Sequence, residues 1–184
     1  MKKTTSKTSA AATLKAKIRT VPHWPKKGVM FRDITTLLKD AAGLRVACEQ
    51  LAARFKRTRI DVVAGIESRG FIFGSVVAFL LGKGFVPFRK PGKLPAPTVS
   101  QTYKLEYGTD KIEVHKDAIK KGTRVLVVDD LIATGGTVKA VCQLIEKLGG
   151  VVVGCAFVIE LPDLGGRAKL KGYTITALTE FEGD

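Results

Sequence analysis

The sequence predicts an α/β fold: a doubly wound, mainly parallel sheet. Three observations carry the prediction. Val125–Val128 and Val151–Ile159 are apolar, largely β-branched runs, as expected of strands covered on both faces. Helical patterns at 71–81 and 138–148 follow strand patterns, so βαβ units recur. Chemistry-bearing residues gather where strands end, which is where open α/β sheets bind ligands.

The organising stretch is 125–137, Val-Leu-Val-Val-Asp-Asp-Leu-Ile-Ala-Thr-Gly-Gly-Thr. Four apolar residues run into Asp129 and Asp130, placing both carboxylates at a strand's carboxyl end. Ala133, Thr134, Gly135, Gly136 and Thr137 then lead into a helix. Free backbone N–H groups, glycines and two hydroxyls at a helix start make a phosphate cradle. The preceding carboxylates suit ribose hydroxyls or a hydrated Mg²⁺. Taken alone, Gly135-Gly136 reads more readily as a strand-to-helix turn, with the aspartates as caps, but the whole string argues against that reading. The string is neither a Walker A loop nor a Gly-x-Gly-x-x-Gly dinucleotide loop.

With 184 residues, 45% of them hydrophobic, the chain is expected to form one domain over 10–184 behind a basic, disordered tail at 1–9. No apolar run is long enough to span a bilayer and no signal-peptide pattern is present, so a cytoplasmic protein is expected. Cys48, Cys142 and Cys155 lack metal spacing and read as buried free thiols in a reducing compartment. Eight of the charges behind the net +14 are Lys or Arg within residues 1–27, which hold no acid. That lead could touch nucleic acid. It has no interleaved aromatics and no helix-turn-helix pattern, which favours a solvated tail.

In order, residues 10–19 read as a short helix and 21–28, with two prolines and a glycine, as a loop. Met30 and Phe31 read as packing residues, and Asp33 as a cap or turn former. Leu44, Cys48, Leu51 and Phe55 mark an amphipathic helix over 41–55. Ile60–Gly65 is the first central strand, followed by the loop Glu67-Ser68-Arg69-Gly70 and a helix closed by Gly82. Phe85–Phe88 is the next strand. Arg89–Pro97 is basic and carries three prolines, so it is no helix interior. Extended segments at 98–107 and 111–115, parted by Gly108-Thr109-Asp110, make a long excursion of the kind used as a lid. After the signature strand come the strand 151–159, a loop with a short helix at 162–170, and a final strand at 173–178.

Three loops thus converge on one edge, bringing Glu67–Gly70, Arg89, Lys90 and Lys93 beside residues 129–137. On charge alone the three cations read equally as a solvated loop. Together the loops suit a molecule with a monophosphate at one end and a diphosphate at the other. The signature string resembles that of the type I phosphoribosyltransferases, which bind 5-phosphoribosyl 1-diphosphate. Further strings narrow the resemblance to the adenine phosphoribosyltransferases, from about Ile18 to the final strand. They are 25–35 (Pro-Lys-Lys-Gly-Val-Met-Phe-Arg-Asp-Ile-Thr), 65–74 (Gly-Ile-Glu-Ser-Arg-Gly-Phe-Ile-Phe-Gly), 86–95 (Val-Pro-Phe-Arg-Lys-Pro-Gly-Lys-Leu-Pro) and 103–108 (Tyr-Lys-Leu-Glu-Tyr-Gly).

The resemblance implies the type I fold with a small hood and a flexible lid, and the conversion of adenine and 5-phosphoribosyl 1-diphosphate to AMP and diphosphate. It implies Mg²⁺ held through substrate and water with no direct protein cage, and a homodimer. It also implies roles for individual residues. Asp129 and Asp130 take the ribose hydroxyls, and Ala133–Thr137 hold the 5′-phosphate. Arg69, Arg89, Lys90, Lys93 and Tyr107 serve the diphosphate, Arg89 and its neighbours often from the partner subunit. Phe31 packs on adenine with Leu131 on its other face, while backbone groups around Met30 and Arg32 read the base edge. Glu106, on the lid, handles the proton near adenine N7. The Glu67–Ser68 peptide is implied to be strained or cis. Residues 162–171 match no motif and carry no assigned role. A 6-oxopurine base is a rival, weakened because Glu160-Leu161-Pro162 supplies no lysine for its carbonyl. A nucleic-acid-binding regulator is a second rival, supported only by the basic lead.

Overall fold

The structure, a computed structural model, describes residues 7–104 and 108–183. Helix α1 (Lys7–Ala16) leads into a hairpin of β1 (Arg19–Pro22) and β2 (Met30–Asp33), then α2 (Thr35–Leu38) and α3 (Ala41–Phe55). The centre follows as β3 (Val62–Ile66), α4 (Arg69–Leu81) and β4 (Gly84–Phe88). A second hairpin, β5 (Thr98–Lys104) and β6 (Thr109–His115), precedes β7 (Arg124–Ile132), α5 (Gly136–Lys147) and β8 (Val151–Glu160). A 3-10 turn (Pro162–Leu164), α6 (Gly166–Lys169) and β9 (Ile175–Glu180) complete the described chain.

Five strands form one parallel sheet in the order β4-β3-β7-β8-β9. The chain winds outward in both directions from the β3–β7 pair, so the strand order reverses there, as in doubly wound folds. Both faces are covered, and β7 shows why its sequence has no polar alternation. Leu126 and Val128 join a core built on α3 and α4, with Phe55, Phe73 and Val77. Val125 and Val127 join another, built on α5 and the β5–β6 hairpin, with Ile112, Val141 and Leu144.

Local chemistry explains the element ends. Asp40 caps α3 by accepting from Gly43 N at 2.6 Å, and its other oxygen meets Lys17 Nζ at 2.6 Å. Asp33 accepts from Thr35 N and Thr35 Oγ1 at 2.8 and 2.9 Å and pairs with Arg19. These bonds with Arg19, Thr35 N and Thr35 Oγ1 lower its carboxyl to about 2. The expected turn former at 33 is therefore present.

Several boundaries differ from the sequence reading. Helix α1 starts at Lys7 and stops at Ala16, so the helix expected over 10–19 lies further back and overlaps the expected tail. Ile18 and Arg19 turn instead into β1. The proline-bearing loop at 21–28 is partly strand: Val21 and Pro22 pair with Phe31 and Met30. A two-stranded ribbon tolerates Pro22 because its outer edge needs no ladder donor. Strand β7 runs three residues beyond Asp129, to Ile132, so the aspartates lie inside the strand. The 89–115 excursion carries the β5–β6 hairpin. Ile112 and Val114 are fully buried in this hairpin, while Glu106 and Tyr107, expected on the lid, lie outside the described residues.

Candidate active site

The carboxyl ends of β3 and β7 meet at the switch point and open a cleft of about 210 Å³. Its walls include Glu67, Arg69, Lys90, Tyr103, Asp129, Asp130, Leu131 and the whole loop 133–137. The loop is shaped by Gly135, whose φ of 72° lies in the left-handed region at the N-cap of α5. No side chain caps this helix. Its first-turn N–H groups lack intrahelical acceptors and are left for a ligand, at the positive end of the helix dipole.

The carboxylate pair sits beside that loop. Asp130 is buried and Asp129 half-buried. Asp130 N donates to Asp129 Oδ1 at 2.9 Å, and Arg69 Nε lies 2.8 Å from Asp130 Oδ2. That oxygen is ion-paired yet has no aligned hydrogen bond. Burial, then repulsion from Asp130, raises the Asp129 carboxyl well above the usual range. Burial raises Asp130 as well, against the pull of Arg69. Two desolvated carboxylates, one oxygen of which lacks an aligned hydrogen bond, are suited to hydroxyl donors or a hydrated cation.

The cations divide. Arg69 and Lys90 line the cleft; Arg89 and Lys93 do not. Arg89 instead grips Glu67 through Nε and Nη2, at 3.2 and 3.0 Å, and donates to Lys93 O at 3.3 Å. Lys90 N also donates to Glu67 Oε2 at 2.8 Å. Burial pushes the Glu67 carboxyl up, but these bonds outweigh it and hold it below the usual range. Lys90 Nζ donates to Tyr103 Oη at 2.9 Å and pairs with Asp110, which raise its pKa against burial. Tyr103 and Asp110 were missed by sequence reasoning, since only the β5–β6 register brings them under Lys90. The Glu67–Ser68 peptide is cis.

Beside the cleft, Val21, Trp24, Phe31 and Asp33 border an apolar hollow of about 280 Å³. The Trp24 and Phe31 rings meet edge-on at 4.4 Å, and the Arg69 guanidinium lies 5.4 Å over Phe31. Arg69 thus bridges the hollow and the carboxylates. Leu131 lines the cleft, whereas Met30 borders neither space. The Arg32 side chain turns away into the protein. It donates to Thr20 Oγ1 at 2.7 Å, to Glu182 O at 3.1 Å and to Gly183 O at 2.5 Å.

Residues 35–179 match the phosphoribosyl transferase domain. The chain is 59% identical over 175 residues to an adenine phosphoribosyltransferase of Prosthecochloris aestuarii, covering 93% of this chain and 99% of that one. The chain belongs to the adenine phosphoribosyltransferase family. It is an enzyme of the pentosyltransferase class. The crystal structure of the adenine phosphoribosyltransferase of Thermoanaerobacter pseudethanolicus superposes with a TM-score of 0.91 at 51% identity, covering 93% of this chain and 99% of that one. The Saccharomyces cerevisiae adenine phosphoribosyltransferase, solved with an imino-altritol bisphosphate and adenine, gives 0.87 at 39% identity, covering 92% and 98%.

Within this family fold, two contributors carried no sequence signal. Trp24 stands between two prolines in the stretch 21–28, read from sequence only as a loop. The turn at 162–169, unassigned from sequence, packs directly behind the loop 133–137. The cysteines are buried and free, as expected, but two are not isolated: Cys142 and Cys155 Sγ lie 3.8 Å apart. Among the described residues, no three His, Cys, Asp or Glu side chains gather to hold a metal, and no helix is long and apolar enough to cross a membrane.

Proposed function

We propose that this chain salvages adenine, joining it to 5-phosphoribosyl 1-diphosphate to give AMP and diphosphate in a Mg²⁺-dependent reaction. The observation that carries this reading is the shared cleft of the uncapped α5 start and the Asp129–Asp130 pair. The adenine bound in the yeast relative supports the base assignment.

The loop 133–137 binds the 5′-phosphate through the backbone N–H groups of the α5 start. Asp129 and Asp130 orient the ribose hydroxyls. Phe31 and Leu131 sandwich the adenine, with backbone at 30 and 32 reading its edge. At the anomeric carbon the bond to the diphosphate oxygen breaks, oxocarbenium character develops, and adenine N9 forms the new bond from the opposite face. Arg69 and Lys90 stabilise the departing diphosphate, joined by Tyr107 and, in the assembled enzyme, by Arg89 and Lys93. Glu106 takes the imidazole proton, and closure of the segment that carries it excludes water. Mg²⁺ fits the donor set. Asp129 and Asp130, the latter ion-paired to Arg69, would face an ion held mainly through its waters and the substrate's phosphates. When bound, it neutralises charge on the diphosphate.

The test is a steady-state assay with Mg²⁺, 5-phosphoribosyl 1-diphosphate and each purine base in turn. Adenine alone should yield nucleotide, and Glu106→Gln should lower kcat by roughly 100-fold. Turnover of hypoxanthine or guanine instead would overturn the base assignment. No turnover with any base would overturn the enzymatic reading.

The reading extends to a cytoplasmic homodimer formed by one domain over 10–184. Buried free thiols suit a reducing compartment. Helix α4 exposes Ile72, Leu80 and, at 83%, Phe79, an apolar stripe at helical spacing that a second copy would cover. Light scattering should report a dimer for the wild type and a shift toward monomer for Phe79→Asp. An unchanged mass in that variant removes α4 from the interface.

A further inference from the structure

The turn after β8 contributes no group to the cleft, yet it forms the rear wall of the loop 133–137. We propose that Gly166, anchored by the Arg167–Glu160 pair, is a positioning residue that holds this loop in its anion-binding shape. The proposal rests on the reading that the loop takes the 5′-phosphate.

The contact is backbone on backbone. A Cβ on Gly166 would fall on the Ala133 carbonyl oxygen. A Cβ on Gly135 would come within 2.8 Å of Gly166 O and 3.2 Å of its Cα. The Ile132 side chain lies beside them, with Cγ1 2.9 Å from the Gly166 Cβ position, but the closest approaches are main chain, which cannot yield by changing rotamer. Any shift of Gly166 is passed to the loop that presents the α5 N–H groups.

Gly166 is in turn held by its neighbour. Arg167 forks onto Glu160, with Nε to Oε1 and Nη2 to Oε2 both at 2.7 Å, while Nη1 donates to Ile175 O at 3.2 Å. The Glu160 side chain is 5% exposed, so the pair is shielded from water on that side. Glu160 is also the register partner of Ile132, the last residue of β7 before the loop. A closed circuit results: Ile132 to Glu160, Glu160 to Arg167, Gly166 to Ala133 and Gly135. It fixes the loop relative to the strand that carries the two aspartates. An ion pair that only stabilised the fold would need no neighbour packed on the loop, as Gly166 is. Positioning shells of this kind decide whether a site holds its geometry.

The test uses the full chain with Gly166→Ala, Arg167→Ala and Arg167→Lys. Calorimetric titration with ribose 5-phosphate reads the loop directly, and the two Michaelis constants separate the substrates. Displacement of the loop should weaken ribose 5-phosphate binding, and raise KM for 5-phosphoribosyl 1-diphosphate, by roughly 10- to 100-fold in Gly166→Ala and Arg167→Ala. KM for adenine at saturating co-substrate should stay near wild type. Arg167→Lys, which keeps the charge without the fork, should fall between. Should Gly166→Ala fail to fold, the two Arg167 variants decide. Folded variants that bind ribose 5-phosphate like wild type, or raise both KM values together, overturn the proposal and leave the proposed function intact. A wild type that binds no ribose 5-phosphate overturns both.

Discussion

The double variant Asp129→Asn, Asp130→Asn is expected to lose at least roughly 100-fold in kcat/KM while melting at a higher temperature than wild type at pH 8. The activity loss follows from removing the anionic acceptors beside the phosphate loop. The stability gain follows from the raised carboxyl pKa values, caused by burial and, for Asp129, by the charge of Asp130. The folded protein retains protons that the unfolded chain, with ordinary carboxyls near ~4, has already released. Wild-type stability therefore falls as pH rises from that range through the raised values. Asparagines do not titrate, so the variant should lack this fall. Arg69, 40% exposed, loses a partner but can turn to water. Thermal melts of both proteins from pH 4 to 8 check the result. Parallel stability curves, or kcat/KM within a few-fold of wild type, would contradict it.

Arg32→Leu is expected to destabilise the fold by about 2–3 kcal/mol, with Arg32→Lys recovering only part. Arg32 is 7% exposed, and its guanidinium binds Thr20, Glu182 and Gly183 and lies 4.7 Å over the Phe181 ring. Leucine keeps much of the apolar stem, so the loss reads mainly the hydrogen bonds. Because Phe31 is the next residue along β2, KM for adenine should rise as well. Urea unfolding and adenine saturation curves measure both. A midpoint unchanged from wild type would show that the side chain is dispensable.

The parts of this molecule legible in its sequence are those specified by contiguous residues. The Val-Val-Asp-Asp run identified a buried strand because both faces of β7 are covered. The small-residue loop announced the α5 start because only Gly135 accepts the backbone turn there. Helix α3 appeared at its observed bounds because Leu51 and Phe55 repeat along one face. What remained hidden depends on register or on distant chain. Pro22 concealed β1, since proline penalises strands except at such an unpaired edge. Lys90 looked like a free cation, since Asp110 and Tyr103 reach it only through the hairpin pairing. The anchorage of the Arg32 side chain stayed hidden, since two of its partners are main-chain carbonyls some 150 residues away, which carry no sequence signal. Gly166 was silent for a similar reason: its closest contacts are main chain.

The Arg32 anchorage also sets a timetable. Its hydrogen bond to Glu182 spans 150 residues of chain. At ~5–20 residues per second, synthesis separates the two partners by roughly 8–30 s. During that interval Arg32 has its Thr20 partner within the β1–β2 hairpin but lacks its two carboxyl-terminal carbonyls. Two of the bonds that anchor this early stretch therefore wait for the end of synthesis. A nascent chain paused before residue 182 would show a formed β3–α4–β4 unit beside an amino-terminal segment still open to a protease or a chaperone.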